Sequence, residues 1–166
     1  MGVIFFIYRL NEIAIYVSLF AVGHSSTLLL GVFTGIHINA HIIDAIIGLS
    51  VVYKGLDNLS FFKKWFGFQP DTKISTFIFG LFHGFGLAAK IIEFDLDPDG
   101  LFTNLISFNI GVEIGQLLAL STILILISYW RKRPSFLSYS YSTNIILIIL
   151  GFILAGQQIY GYVNSI

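Results

Sequence analysis

The sequence predicts an all-α, polytopic transmembrane helix bundle, and three observations predict it. Hydrophobic residues make up 56% of the 166 and charged residues only 11%, against roughly 25% charged in an ordinary soluble domain. Five segments are apolar over the length of a membrane-crossing helix. The loops between them place nearly all the basic residues on one side.

Crossing about 30 Å of hydrocarbon at 1.5 Å per residue takes about 20 residues. The first segment of that length runs from Ile13 to Ile36 without a charge. The second runs from about Asn39 to Leu56 and contains Asp44 and Lys54. The third covers Ile74 to Ile92, and the fourth covers Leu101 to Trp130 with Glu113 inside it. Asn144 to Val163 is the fifth. Strands are a poor alternative, because these runs lack the alternation of a lipid-facing barrel and exceed its strand length of about 10 residues. Helices also satisfy their own backbone in lipid. The whole chain therefore reads as one membrane domain, with the lipid bilayer as its first partner.

If the chain crosses at each segment, Arg9, Lys54, Lys63, Lys64, Lys73, Arg131, Lys132 and Arg133 fall on one side. Lys90 alone falls on the other, beside Glu93, Asp95, Asp97 and Asp99. The positive-inside rule then puts the Lys63 and Arg131 loops in the cytoplasm and the C-terminus outside. Gly2 to Tyr8 is apolar but too short to cross, and it ends at Arg9. It reads as the remnant of an upstream sixth helix or as a short interfacial segment.

Composition removes several function classes. A formal net charge of zero gives no broad basic face for nucleic acid. With no cysteine and Met1 as the one methionine, a metal site has only nitrogen and oxygen ligands to draw on. No G-x-x-x-x-G-K-[ST] phosphate loop is present, so the chain does not itself hydrolyse ATP by that motif. Asp95, Asp97, Asp99 and Gly100 open like a calcium loop, but Ile106 stands where the bidentate glutamate is needed. With His37 and His41 on the same outer side, these acids make either a solvated loop or a cation-collecting mouth.

An ionisable group at mid-membrane costs at least about 2.5 kcal/mol on insertion scales, so it turns to the bundle interior or a water-filled cavity. His24 lies near the middle of the first span, His83 of the third and Glu113 of the fourth, with Asp44 in the outer part of the second. Asn109, Glu113 and Gln116 fall at i, i+4 and i+7, which is one helix face. Gly80 and Gly84 flank His83, and Gly111 and Gly115 flank Glu113, a spacing that admits a neighbouring backbone closely. For one histidine alone, interhelical hydrogen bonding is the simpler reading. The whole set favours a cation path. Ser25, Ser26 and Thr27 follow His24, but adjacent helix positions do not face each other, and hydroxyls there bond back to the previous turn. An enzyme is not expected.

The segments GHSSTLLLG, DAIIGLSVVYKGLDN, FGLFHGFGLA and FNIGVEIGQLLAL, in that order, resemble the HupE/UreJ family of bacterial membrane proteins over about Val17 to Trp130. The resemblance implies a hydrogenase or urease accessory protein of the inner membrane whose associated function is nickel uptake. By motif it makes His24, Asp44, His83, Asn109, Glu113 and Gln116 the expected metal residues. It also implies an upstream helix carrying a motif like DHILF, which is not found in this chain. Nickel is then expected as transported ion, with no permanently bound cofactor. A homo-oligomer or metalloenzyme maturation proteins are the remaining partners it suggests. Two rival readings stay open, a non-transporting accessory subunit that docks another membrane protein through the intramembrane polar face of the fourth helix and a membrane-embedded metalloenzyme.

Overall fold

A computed structural model describes residues 10–36, 38–92 and 100–165. The expected N-terminal remnant, His37 and the acidic run Glu93 to Asp99 lie outside the described residues. Among those described, the regular elements are six helices: α1 (Leu10–Thr34), α2 (Ala40–Asn58), α3 (Phe61–Phe66), α4 (Thr72–Ile92), α5 (Leu101–Trp130) and α6 (Phe136–Asn164).

Four of them, α1, α4, α5 and α6, are long and apolar enough to cross a membrane. The second expected span is α2, which has the length at 19 residues but carries Asp44, Lys54 and Asp57. The expected count of five thus depends on α2 alone. All three charges are paired, Lys54 with Asp57 and Asp44 with Lys90 of the following long helix at 3.3 Å. Asn39 caps its start by accepting from the His41 amide at 2.9 Å.

The helices alternate in direction. Residue 23 of α1 abuts Phe77, and residue 31 abuts Ala88, so α1 and α4 run parallel. Helix α5 is antiparallel to α1, because His24 meets Asn109 and Ser18 meets Glu113. Helix α2 is antiparallel to α4 through Tyr53–Ser75 and Asp44–Lys90, and to α6 through Asn58–Asn144 and His41–Gln158. Lys63, Lys64, Arg131, Lys132 and Arg133 therefore emerge at one end of the bundle, called the basic end below.

Packing places the helices in the order α5, α1, α4, α2, α6. The outer two meet beside the turn that joins them, where Trp130 lies edge-on to Phe136 at 5.2 Å. Small residues make the two tightest contacts. On α4, a Cβ at Gly80 or Gly84 would run into the backbone of α1 at Phe20 and His24. Between α2 and α6, Gly48, Gly55 and Gly151 let the backbones approach in the same way. The expected close packing at Gly111 and Gly115 is not made within the described chain, as a Cβ at either meets nothing within 4 Å.

The distribution of polarity is that of a protein dissolved in lipid. Phe102, Ile110, Ile114, Leu118, Ile149 and Phe152 are exposed on the outer helices, while His24, Thr27, Asp57, Asn58, Ser140 and Asn144 are buried. Asn144 is only 1% exposed. Its side-chain carbonyl accepts from Asn58 at 2.8 Å, and its amide donates to the Ser140 carbonyl at 2.8 Å. Interhelical hydrogen bonds of this kind contribute about 0.6 kcal/mol on average in membranes, so they fix register more than they supply stability.

Candidate metal path

The glycine contact between α1 and α4 brings His24 and His83 to the same level. His24 is buried. The Phe20 ring packs against both imidazoles, stacked on His24 at 5.9 Å and edge-on to His83 at 5.1 Å. Both histidines line a cavity of about 280 Å³ together with Asp44, Lys90 and Gln116.

Hydrogen bonding fixes which ring nitrogen each histidine offers. His83 Nδ1 lies 2.7 Å from the Phe79 carbonyl oxygen, which can only accept, so Nδ1 carries the proton. For His24 the partner is Asn109 Oδ1 at 3.3 Å. The Asn109 amide is oriented by its own NH2 group, which donates to the Leu105 carbonyl at 3.0 Å. His24 Nδ1 therefore donates as well. In both neutral rings the lone pair is left on Nε2, and a carbonyl partner on Nδ1–H is the usual device that orients a metal-binding imidazole.

The other expected residues divide. Asp44 and Gln116 share the cavity with the histidines, and Asn109 joins through His24. Glu113 does not line that cavity. One turn along α5, its carboxylate accepts from Ser18 at 3.2 Å. Among the described residues, no three His, Asp or Glu side chains come close enough together to hold a metal ion. The imidazoles are flanked instead by the Asn109 amide and the Phe20 ring. Two of the hydroxyls after His24 follow the expectation, with Ser26 donating to the Val22 carbonyl at 2.6 Å and Thr27 to the Gly23 carbonyl at 3.1 Å. Thr27 reaches across to the Leu81 carbonyl of α4 at 2.7 Å.

One polar centre was missed by sequence reasoning. Asp57 is buried at the basic end, its carboxylate bonded to Lys54, Gln69 and Thr72. It borders a cleft of about 610 Å³ that also contains Glu12 and Tyr16. The available signal was the i, i+3 spacing of Lys54 and Asp57 with Asn58 following, which on a helix makes one polar face.

Comparison with known proteins agrees with the resemblance read from the motifs. A family model described as HupE / UreJ protein matches residues 1–166, the whole chain. No curated protein and no solved structure shows a match.

Proposed function

The chain belongs to the HupE/UreJ family, and from that membership we propose that it passes a divalent transition-metal cation, nickel before others, across the bacterial inner membrane. The observation that carries this reading is the matched pair of imidazoles on α1 and α4, each with Nδ1–H engaged and Nε2 left with its lone pair beside one cavity. Neutral imidazole suits nickel, cobalt and zinc. Asp44 stands at the outer entrance, His24 and His83 form the middle of the path with Asn109 as orienting partner, and Glu113 supplies the charge one turn further along α5. A membrane potential of 100 mV contributes about 4.6 kcal/mol to the inward movement of a divalent ion, twice the value for one charge.

In this reading all five long helices cross, with α2 as the charged member, and the basic end faces the cytoplasm. Single cysteines test that orientation. A cysteine replacing Asp97 is expected to react with an impermeant thiol reagent added outside intact cells, while one replacing Lys64 stays unmodified until the membrane is opened. The reverse pattern contradicts the topology.

A second reading, a non-transporting accessory subunit, has one observation in its favour. Gly111 and Gly115 leave an open, apolar-flanked face on α5 that another membrane helix would fit. Purified protein alone separates the two. Proteoliposomes with an inside-negative potential are expected to accumulate Ni2+ above protein-free vesicles, and equal accumulation in both rejects transport in favour of the subunit.

A further inference from the structure

The two cavities lie at different levels of the bundle, and aromatic residues stand between those levels on three helices. On α1 the order from the basic end is Tyr16, Phe20, His24; on α2 it is Asp57, Tyr53, Asp44; on α4 it is Thr72, Phe79, His83. Each helix thus places at least one aromatic residue between a cleft residue and a histidine or Asp44 of the histidine cavity; α4 has three, Phe77, Phe79 and Phe82, and Phe20 itself lines the histidine cavity. Tyr53 packs edge-on to Phe79 at 5.3 Å, and its hydroxyl is 2.8 Å from Ser75 Oγ. Each cavity also holds one aspartate of α2 covered by a lysine: Asp44 by Lys90 and Asp57 by Lys54.

The two pairs differ in burial. The side chains of Lys90 and Asp44 are 51% and 24% exposed, whereas those of Lys54 and Asp57 are 13% and 4% exposed. A buried ion pair is a weak source of net stability. A lysine held against a carboxylate inside a polar cleft does, however, act as a tethered competitor for any other cation that would bind there.

We infer that the basic-end cleft is a second cation site, the one from which the metal leaves, with the Asp57 carboxylate as its anchor and Lys54 as the cation that occupies it when the metal is gone. This inference rests on the transport reading. Its ligand is a divalent cation bound through oxygen, from the Asp57 carboxylate, the Gln69 side-chain carbonyl once its amide turns, and the Thr72 hydroxyl. Oxygen donors hold nickel less tightly than imidazole does. Passage from the histidine pair to Asp57 is therefore passage to a weaker site, and the returning lysine completes release.

The test uses the purified full chain in detergent and reads equilibrium binding of Ni2+ rather than flux. In a His24→Gln/His83→Gln background, which silences the imidazole pair, adding Lys54→Gln is expected to tighten Ni2+ binding about tenfold, or about 1.4 kcal/mol. Adding Asp57→Asn to that protein is expected to abolish the gain. A structural ion pair predicts the opposite, because removing either partner then only weakens the protein. Unchanged or weaker nickel binding in the folded Lys54→Gln protein overturns the inference. If Lys54→Gln unfolds, saturating Ni2+ is expected to restore the folded state, and failure to do so also overturns it. Because the imidazoles are absent and no transport is measured, failure here leaves the histidine path standing, and failure of the histidine path in an uptake assay leaves this result unaffected.

Discussion

His24→Gln and His83→Gln are each expected to lower Ni2+ uptake about 100-fold while the protein continues to accumulate in the membrane. Removal of even an orienting partner at a metal site costs about 10- to 100-fold, and each of these changes removes a donor itself. Glutamine keeps a polar amide in the cavity, so the hydrogen-bonding role survives and the lone pair on Nε2 does not. Asn109→Leu is the companion variant. It leaves both imidazoles in place but frees the His24 ring from the partner that sets its tautomer, and a loss of about tenfold is expected. Glu113→Gln removes the one charge in α5 without altering its shape, and it is expected to slow uptake as well. If the polar residues serve only to hold helices together, loss of uptake will instead follow loss of folded protein. Uptake at the unaltered rate by well-folded His24→Gln and His83→Gln proteins excludes the path.

Gly84→Val is expected to be the most damaging single change to the fold. A Cβ at residue 84 meets the His24 carbonyl and the Thr27 hydroxyl, and neither is a flexible side-chain end that can swing away. Overpacking a tight contact costs about 1–3 kcal/mol and occasionally more. Here relief requires α1 and α4 to part, which also separates His24 from His83 and breaks the Thr27 bond to Leu81. Gly115→Val is the control, since a Cβ there meets nothing within 4 Å, and a change below about 0.5 kcal/mol is expected. Unfolding measured in mixed micelles checks both. Equal damage at the two positions shows that another helix covers the α5 face, as the accessory-subunit reading requires.

Much of this architecture is legible in the sequence because lipid leaves few alternatives to a helix of about 20 apolar residues. The fourth span coincides with α5 at both ends. The fifth does not, as α6 begins at Phe136, eight residues before the expected Asn144. The intervening Ser138, Ser140, Ser142 and Thr143 lower the hydropathy. In the helix, Ser142 and Thr143 donate to carbonyls four residues back, and the Ser140 carbonyl accepts from Asn144. Helix α3, FFKKWF, is too short for a periodicity signal, and its end is set by Gly67 at φ 75°. His24, His83 and Asn109 were legible from depth and helix-face spacing. The place of Glu113 was not, because Ser18 is an ordinary residue in sequence and only packing shows that it takes the carboxylate. Asp57 was missed for a related reason. It lies one residue past the expected end of the second span, where a charge reads as loop, and only the fold reveals that Gln69 and Thr72 close over it.

On the transport reading, the metal meets the Nε2 atoms of His24 and His83. Nickel K-edge X-ray absorption tests it most directly, on the purified full chain loaded with one equivalent of Ni2+. Outer-shell scattering from two imidazoles around the metal is expected, and it is expected to be lost in the His24→Gln/His83→Gln protein. A shell of oxygen atoms alone in the unaltered protein, or an imidazole signal that survives the double substitution, contradicts it.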